Sequence, residues 1–395
     1  MRKGKFINFE WLCDYNKYTA DEFDVIKTKL IKRDVKSAAE QGYNVVVGLY
    51  LLDGFLQQSH RPEKLVNHLN DIKDYALSLG IKELYVVSGH GETLEGLPVE
   101  SFYFDLNLRF IKNSYKHEFD SLPSYNPDSS KFLFLTGMPD RANRIGLMSK
   151  FYDANMLKDA EWSFFAPWAP EDKHWCRNHL QHYTDDQYNQ FLVDCERSFD
   201  DRYESAKPFY GSYTSQETIV DWYDVVDTEW VQAPAHIDPR VFDDIAVSII
   251  SEGPNFWSDD YYDFVTEKTW RAFLMKQPII FAGWPGQFKY LKKLGYKTFE
   301  EYMIIPEYAL IEDENERLDA VVKNTQHFLK THQVYKDNIL KDVEHNYNLL
   351  HEYIRKQDDI LTHFSNVLNI SDTEISHYTE IQGYKNLLMR VPDNV

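Results

Sequence analysis

The string Asp263-Phe264-Val265-Thr266-Glu267-Lys268, with Ser251-Glu252 upstream, sets a carboxylate beside an ammonium where a helix is expected to start. Thr266 suits the N-cap, because its hydroxyl can accept from a first-turn N–H that has no partner within the helix. Glu267 and Lys268 then fall in the first turn, facing the crevice at the end of the preceding strand. A carboxylate there can accept from both hydroxyls of a ribose, and a lysine can neutralise a phosphate. The plainer alternative makes Glu267 a helix-dipole residue and Lys268 its solvent-exposed neighbour.

A second stretch, Phe132 to Met148, reads as a strand, a Gly137-Met138-Pro139 turn and a helix whose first turn carries Arg141 and Arg144. Anions dock at strand carboxyl ends and helix N-termini in open α/β sheets, because unpaired N–H groups and the dipole point there. Cations in that turn oppose the dipole unless an anion lies between. Arg144, with its bidentate fork, is therefore a candidate pyrophosphate clamp. Otherwise it is a surface arginine paired with Asp140 or Asp153.

Metal chemistry has weaker footing. No Asp-x-Asp occurs, and Asp259-Asp260 is as readily a solubilising pair. His174, Cys176, His179 and His182 lie close in sequence, but no second Cys/His pair stands at zinc-finger spacing. No divalent metal and no other cofactor is expected.

The elements that must position these residues follow an alternating pattern. Phe6–Phe9, Asn44–Leu52 and Glu83–Ser88 have the apolar character of buried parallel strands. Between the last two, Leu65, Leu69, Ile72, Ala76 and Leu77 recur near helical spacing over Pro62–Leu79, and Gly80 is a stop. The Ser/Pro/Asn/Asp segment Ser121–Ser130 reads as a linker. Strands then recur at Lys131–Thr136, Ile245–Ile250 and Pro278–Ala282, and helices at Arg141–Asp153, Thr266–Met275 and Pro285–Leu294. From Glu312 to about Leu368 the chain is charged and mostly helical. This β-α-β order predicts an α/β fold of two Rossmann-type domains facing a cleft, with a helical tail: 1–125, 131–330 and 331–395.

The chain's 395 residues suit two domains, and hydrophobic residues at 43% exclude a disordered chain. No apolar run reaches the length of a membrane span, and Glu10 interrupts any signal-peptide pattern at the start. Cys13, Cys176 and Cys195 cannot close a disulfide framework, so a cytoplasmic setting is expected. The net charge of −20 argues against polyanion binding over the whole surface. Residues 1–120 hold 16 Lys/Arg and 18 Asp/Glu, a balance of −2, which leaves −18 for the rest. That near-neutral part carries Lys27, Lys29, Lys32, Arg33 and Lys36, a run that reads first as a solvated helix face.

The Asp263–Lys268 string with Glu252 upstream resembles the donor-binding signature of the α1,3-fucosyltransferase family. Phe132–Ser163, with Arg141, Arg144, Trp162 and Ser163, is similar to viral and bacteriophage glycosyltransferases. The likeness covers roughly 131–165 and 245–300. It implies the GT-B plan, with a nucleotide-sugar (UDP-, GDP- or CMP-linked) held by Arg141, Arg144, Ser251, Glu252, Thr266, Glu267 and Lys268. Within that set, Glu267 would bind ribose, and Lys268 and Arg144 the diphosphate. Gly253 stands where the fucosyltransferase pattern has Asn, which leaves the sugar open.

An inverting transfer needs a base for the acceptor hydroxyl, which the GT-B plan takes from the N-terminal domain. Glu92 and His90 follow one strand there, and Asp53 another. The phage-like resemblance puts a hydroxymethyl-pyrimidine base of double-stranded DNA, in a host cytoplasm, first among acceptors. Lys27–Lys36 and Arg61 would then meet its phosphates. A surface glycan, a protein or a small molecule is the alternative acceptor, and a non-catalytic nucleotide-sugar or carbohydrate-binding protein the alternative class.

Overall fold

A computed structural model describes residues 3–9, 20–50, 62–88, 98–103, 122–136, 142–163, 180–195, 239–252 and 265–368, with single positions at 105, 108, 111, 112, 115 and 177. It is an α/β protein with two four-stranded parallel sheets, one in each of two compact units. Among the described residues no helix is long and apolar enough to cross a membrane.

The first unit runs β1 (Gly4–Asn8), α1 (Ala20–Glu40), β2 (Val45–Tyr50), α2 (Pro62–Ser78), β3 (Glu83–Ser88) and β4 (Glu100–Tyr103). Its sheet order is β1-β2-β3-β4, so each crossover steps the same way and α1 and α2 share one face. Ile7, Val46 and Val86 supply the strand side of that core, and Ile31, Val35, Leu69, Ile72 and Ala76 the helix side. Leu77, 51% exposed, lies off the stripe that Leu69, Ile72 and Ala76 make at i, i+3 and i+7. Gly80, at φ 87°, ends α2 as expected, with Ile81 N–H donating back to Ala76 O. Gly48 in β2 sits against the buried Phe9 ring, where an added Cβ would fall 2.3 Å from it.

The second unit holds β5 (Phe132–Leu135), α3 (Ala142–Asp153), β6 (Ala160–Ser163), α4 (Asp185–Cys195), β7 (Val247–Ile250), α5 (Glu267–Leu274), β8 (Ile279–Phe281), α6 (Pro285–Lys293) and α7 (Glu314–Thr331). Ser121–Ser130 falls within this unit. The last helix, α8 (Lys336–Leu368), contributes to both: residues to Glu352 belong to the second unit and those from Tyr353 to the first. Gln357 accepts from Asp105 N–H at 2.8 Å, and His363 lies 5.2 Å from the Phe102 ring.

The second sheet has the order β6-β5-β7-β8. The chain steps from β5 one way to β6, then returns to the other side of β5 for β7 and β8. Right-handed crossovers in opposite directions put their helices on opposite faces. Phe132 and Phe134 accordingly pack on Phe151 of α3, at 4.8 and 5.4 Å between ring centroids. Leu133, Leu135 and Ser248, on the reverse face, look toward Arg271 and Ala272 of α5. The point of reversal lies between β5 and β7, where such sheets open a crevice beyond the strand carboxyl ends. Among the described strands of the first sheet there is no such reversal.

Candidate functional site

Four residues from three segments converge at that reversal. β7 is buried along its length and delivers Ser251 and Glu252 just past its carboxyl end, at 2% and 0% exposure. From the first turn of α3, Asn143 Nδ2 donates to Glu252 O at 2.8 Å, and lies 3.4 Å from Ser251 Oγ and 3.4 Å from Ala282 O. One buried amide thus ties the ends of β7 and β8 to the helix that follows β5.

The start of α5 is fixed from the same place. Glu252 accepts from Thr266 N–H at 3.0 Å, from Thr266 Oγ1 at 2.6 Å and from Thr269 Oγ1 at 2.6 Å. Thr266 is the N-cap expected from the sequence, its hydroxyl oxygen accepting from Lys268 N–H at 3.4 Å. Glu252 therefore acts as an outer cap, taking up helix-terminal donors from the preceding strand.

Lys268 Nζ lies 2.7 Å from Glu267 Oε1 and 3.3 Å from Thr266 Oγ1, with both members of the ion pair about a quarter exposed. Burial pushes the Glu267 carboxyl up, but the Lys268 and Arg271 charges outweigh it and hold the group at about 2. Its folded value is depressed below the ordinary 4.5, so its contribution to stability is present above about 4.5 and lost as pH falls toward 2. The thermal-stability gap between wild type and Glu267→Gln should accordingly close over that window. A gap independent of pH would show that the pair gives the fold nothing.

The crevice thus gathers Ser251, Glu252, Thr266, Glu267 and Lys268 within one network. Arg144 is half-buried in α3, next to Asn143 in sequence. Arg141, Asp53, His90 and Glu92 lie outside the described residues, as do Asp140, Arg61, Asp259-Asp260, His174, Cys176 and His179. His182 is described: it is exposed and stands 3.9 Å from Asp153. Among the described residues no cluster of three or more His, Cys, Asp or Glu could hold a metal.

Sequence reading missed Asn143, Thr269 and Arg271. Arg271 is buried at 6% exposure and, with Lys268, Ser248 and Ser251, lines a cavity of about 30 Å³ between α5 and the sheet. That space suits one or two waters and is too small for a nucleotide, so a ligand would lie above it, along the strand ends. The spacing of Lys268 and Arg271, i and i+3, was a usable signal that both share one helix face.

No family model matches the chain, and no curated protein matches it either.

Proposed function

We propose that the second unit binds a nucleotide-sugar at the β5/β7 crevice, and that the chain is a metal-independent glycosyltransferase of the GT-B plan. The observation that carries this reading is the stitched crevice itself. Asn143, Glu252 and Thr266 hold the start of α5 rigidly at the point where doubly wound sheets take their ligands. Fixed there, Lys268 is poised for a diphosphate. As the anomeric C–O bond breaks, negative charge grows on the departing phosphate oxygen, and Lys268 with the α5 dipole would stabilise it.

Neither carboxylate of the crevice suits the role of base. Glu252 has both oxygens engaged by threonine donors, and Glu267 at about 2 does not take a proton near neutrality. On the GT-B reading the proposed base is Asp53, His90 or Glu92, which lie outside the described residues. The acceptor is a hydroxyl. Lys32 pairs with Asp71 at 2.7 Å, Arg33 with Asp34 at 2.9 Å and Lys36 with Glu40 at 3.8 Å. These partners blunt the basic run, which favours a glycan, protein or small-molecule acceptor over duplex DNA.

The test is a panel of UDP-, GDP- and CMP-sugars, assayed with chelator for nucleotide release with and without hydroxyl acceptors. Duplex DNA carrying hydroxymethylcytosine is one arm, and unmodified DNA its control. Turnover of one donor is expected. Binding without turnover would make the chain a nucleotide-sugar-binding protein, and binding of no donor would end the proposal.

A further inference from the structure

We infer that Trp284 is the surface on which the nucleotide's base stacks, an inference that rests on the nucleotide-sugar reading above. Trp284 follows β8 and occupies the N-cap of α6, a position that favours Ser, Thr, Asp or Asn. Its side chain makes no capping bond, and Gln287 Oε1 takes up the Trp284 N–H instead, at 3.0 Å. An indole at this position is thus not explained by the helix it begins.

Its ring is nonetheless held in place. The Arg317 guanidinium stands 5.4 Å over the indole. Arg317 is 2% exposed, donates to Ile311 O and Glu312 O, and has no carboxylate within ion-pair distance among the described residues. A buried cation is costly, and the two carbonyls, the indole and the charges of nearby Asp313 and Glu314 together compensate it. The turn below is equally constrained. A Cβ on Gly283 would fall 2.4 Å from the Phe281 ring and 2.8 Å from Gln287 Oε1.

The other described tryptophans are spent on the core. Trp270 is fully buried against Phe273 and Tyr296, and Trp162 donates its indole N–H to Leu157 O. Trp284 is half-buried, and among the described residues no ring stacks on it and no acceptor meets its indole N–H. It also belongs to the crevice, because Asn143 Nδ2 reaches Ala282 O two residues before it. β8 is the neighbour of β7, with Ile250 beside Phe281, so the backbone at Trp284 lies at the same end of the sheet as Ser251 and Glu252. A nucleotide with its phosphates at the start of α5 would carry its base across this end of the sheet toward Trp284.

The experiment is calorimetric titration of the full chain with UDP, GDP, CDP and inorganic pyrophosphate. Trp284→Leu should weaken the tightest-binding nucleoside diphosphate roughly 5- to 150-fold, the range that base–aromatic stacking spans, and leave pyrophosphate unchanged. Trp284→Phe should stay within about threefold of wild type, since a flat ring remains. Unchanged nucleotide affinity in Trp284→Leu would overturn the inference. Loss of pyrophosphate binding as well would also overturn it, by making Trp284 structural. A wild-type chain that binds pyrophosphate but no nucleoside diphosphate removes the base site alone, whereas one that binds neither removes the nucleotide-sugar reading itself.

Discussion

Glu252→Ala should destabilise the second unit by about 3–5 kcal/mol, as expected when a buried, hydrogen-bonded carboxylate is deleted from among its donors. The side chain is fully buried and accepts from one backbone N–H and two threonine hydroxyls. Its removal strands those donors and frees the start of α5 from the end of β7. Glu252→Gln should recover part of the loss, because the amide keeps one acceptor oxygen while turning its Nε2 donors toward groups that also donate. Denaturant titration gives the measurement. A cost below about 1 kcal/mol for the alanine variant would mean that α5 is anchored by packing alone, through Trp270, Phe273 and Leu274.

Lys268→Ala should weaken nucleoside diphosphate binding by about 2–4 kcal/mol, or roughly 30- to 1000-fold, if the ammonium meets the phosphates directly. A second signature should accompany it. The Glu267 carboxyl, held low by Lys268 and Arg271, should titrate upward once the nearer cation is gone. Carbon-detected NMR of the Glu267 carboxyl reads that shift independently of any ligand. Unchanged nucleotide affinity together with the expected Glu267 shift would assign Lys268 to the ion pair alone and remove it from the site.

The strands and the start of α5 were legible because local physics settles them. Phe132–Leu135 is a continuous apolar run, Val247–Ile250 is broken only by the buried Ser248, and Thr266 has the chemistry of an N-cap. Gly295 closes α6 as expected, at φ 89° with Tyr296 N–H donating to Leu291 O. β4 (Glu-Ser-Phe-Tyr) and β6 (Ala-Glu-Trp-Ser) were missed, since polar residues interrupt both and neither has the apolar run that marks β5. α1 was read only as a solvated, basic helix face, and its buried face of Leu30, Ile31, Val35 and Ala38 was missed.

The site divides along the same line. Ser251, Glu252, Thr266, Glu267 and Lys268 sit within one strand–loop–helix segment, and their closeness follows from sequence. Asn143 lies more than 100 positions from Ser251 and Glu252, and only the reversal of the second sheet brings it there. What Glu252 does was also hidden. A strand-end carboxylate reads as a ligand contact until Thr266 and Thr269 are seen to occupy both its oxygens.

The division of α8 between the two units bears on how the chain matures during synthesis. Asp105 and Phe102 emerge early, yet their partners Gln357 and His363 are translated some 250 residues later. At about 5–20 residues per second, that interval is roughly 12–50 s. The nascent first sheet must wait through it with one flank lacking its native cover, so a chaperone's protection would matter most before the ribosome reaches α8.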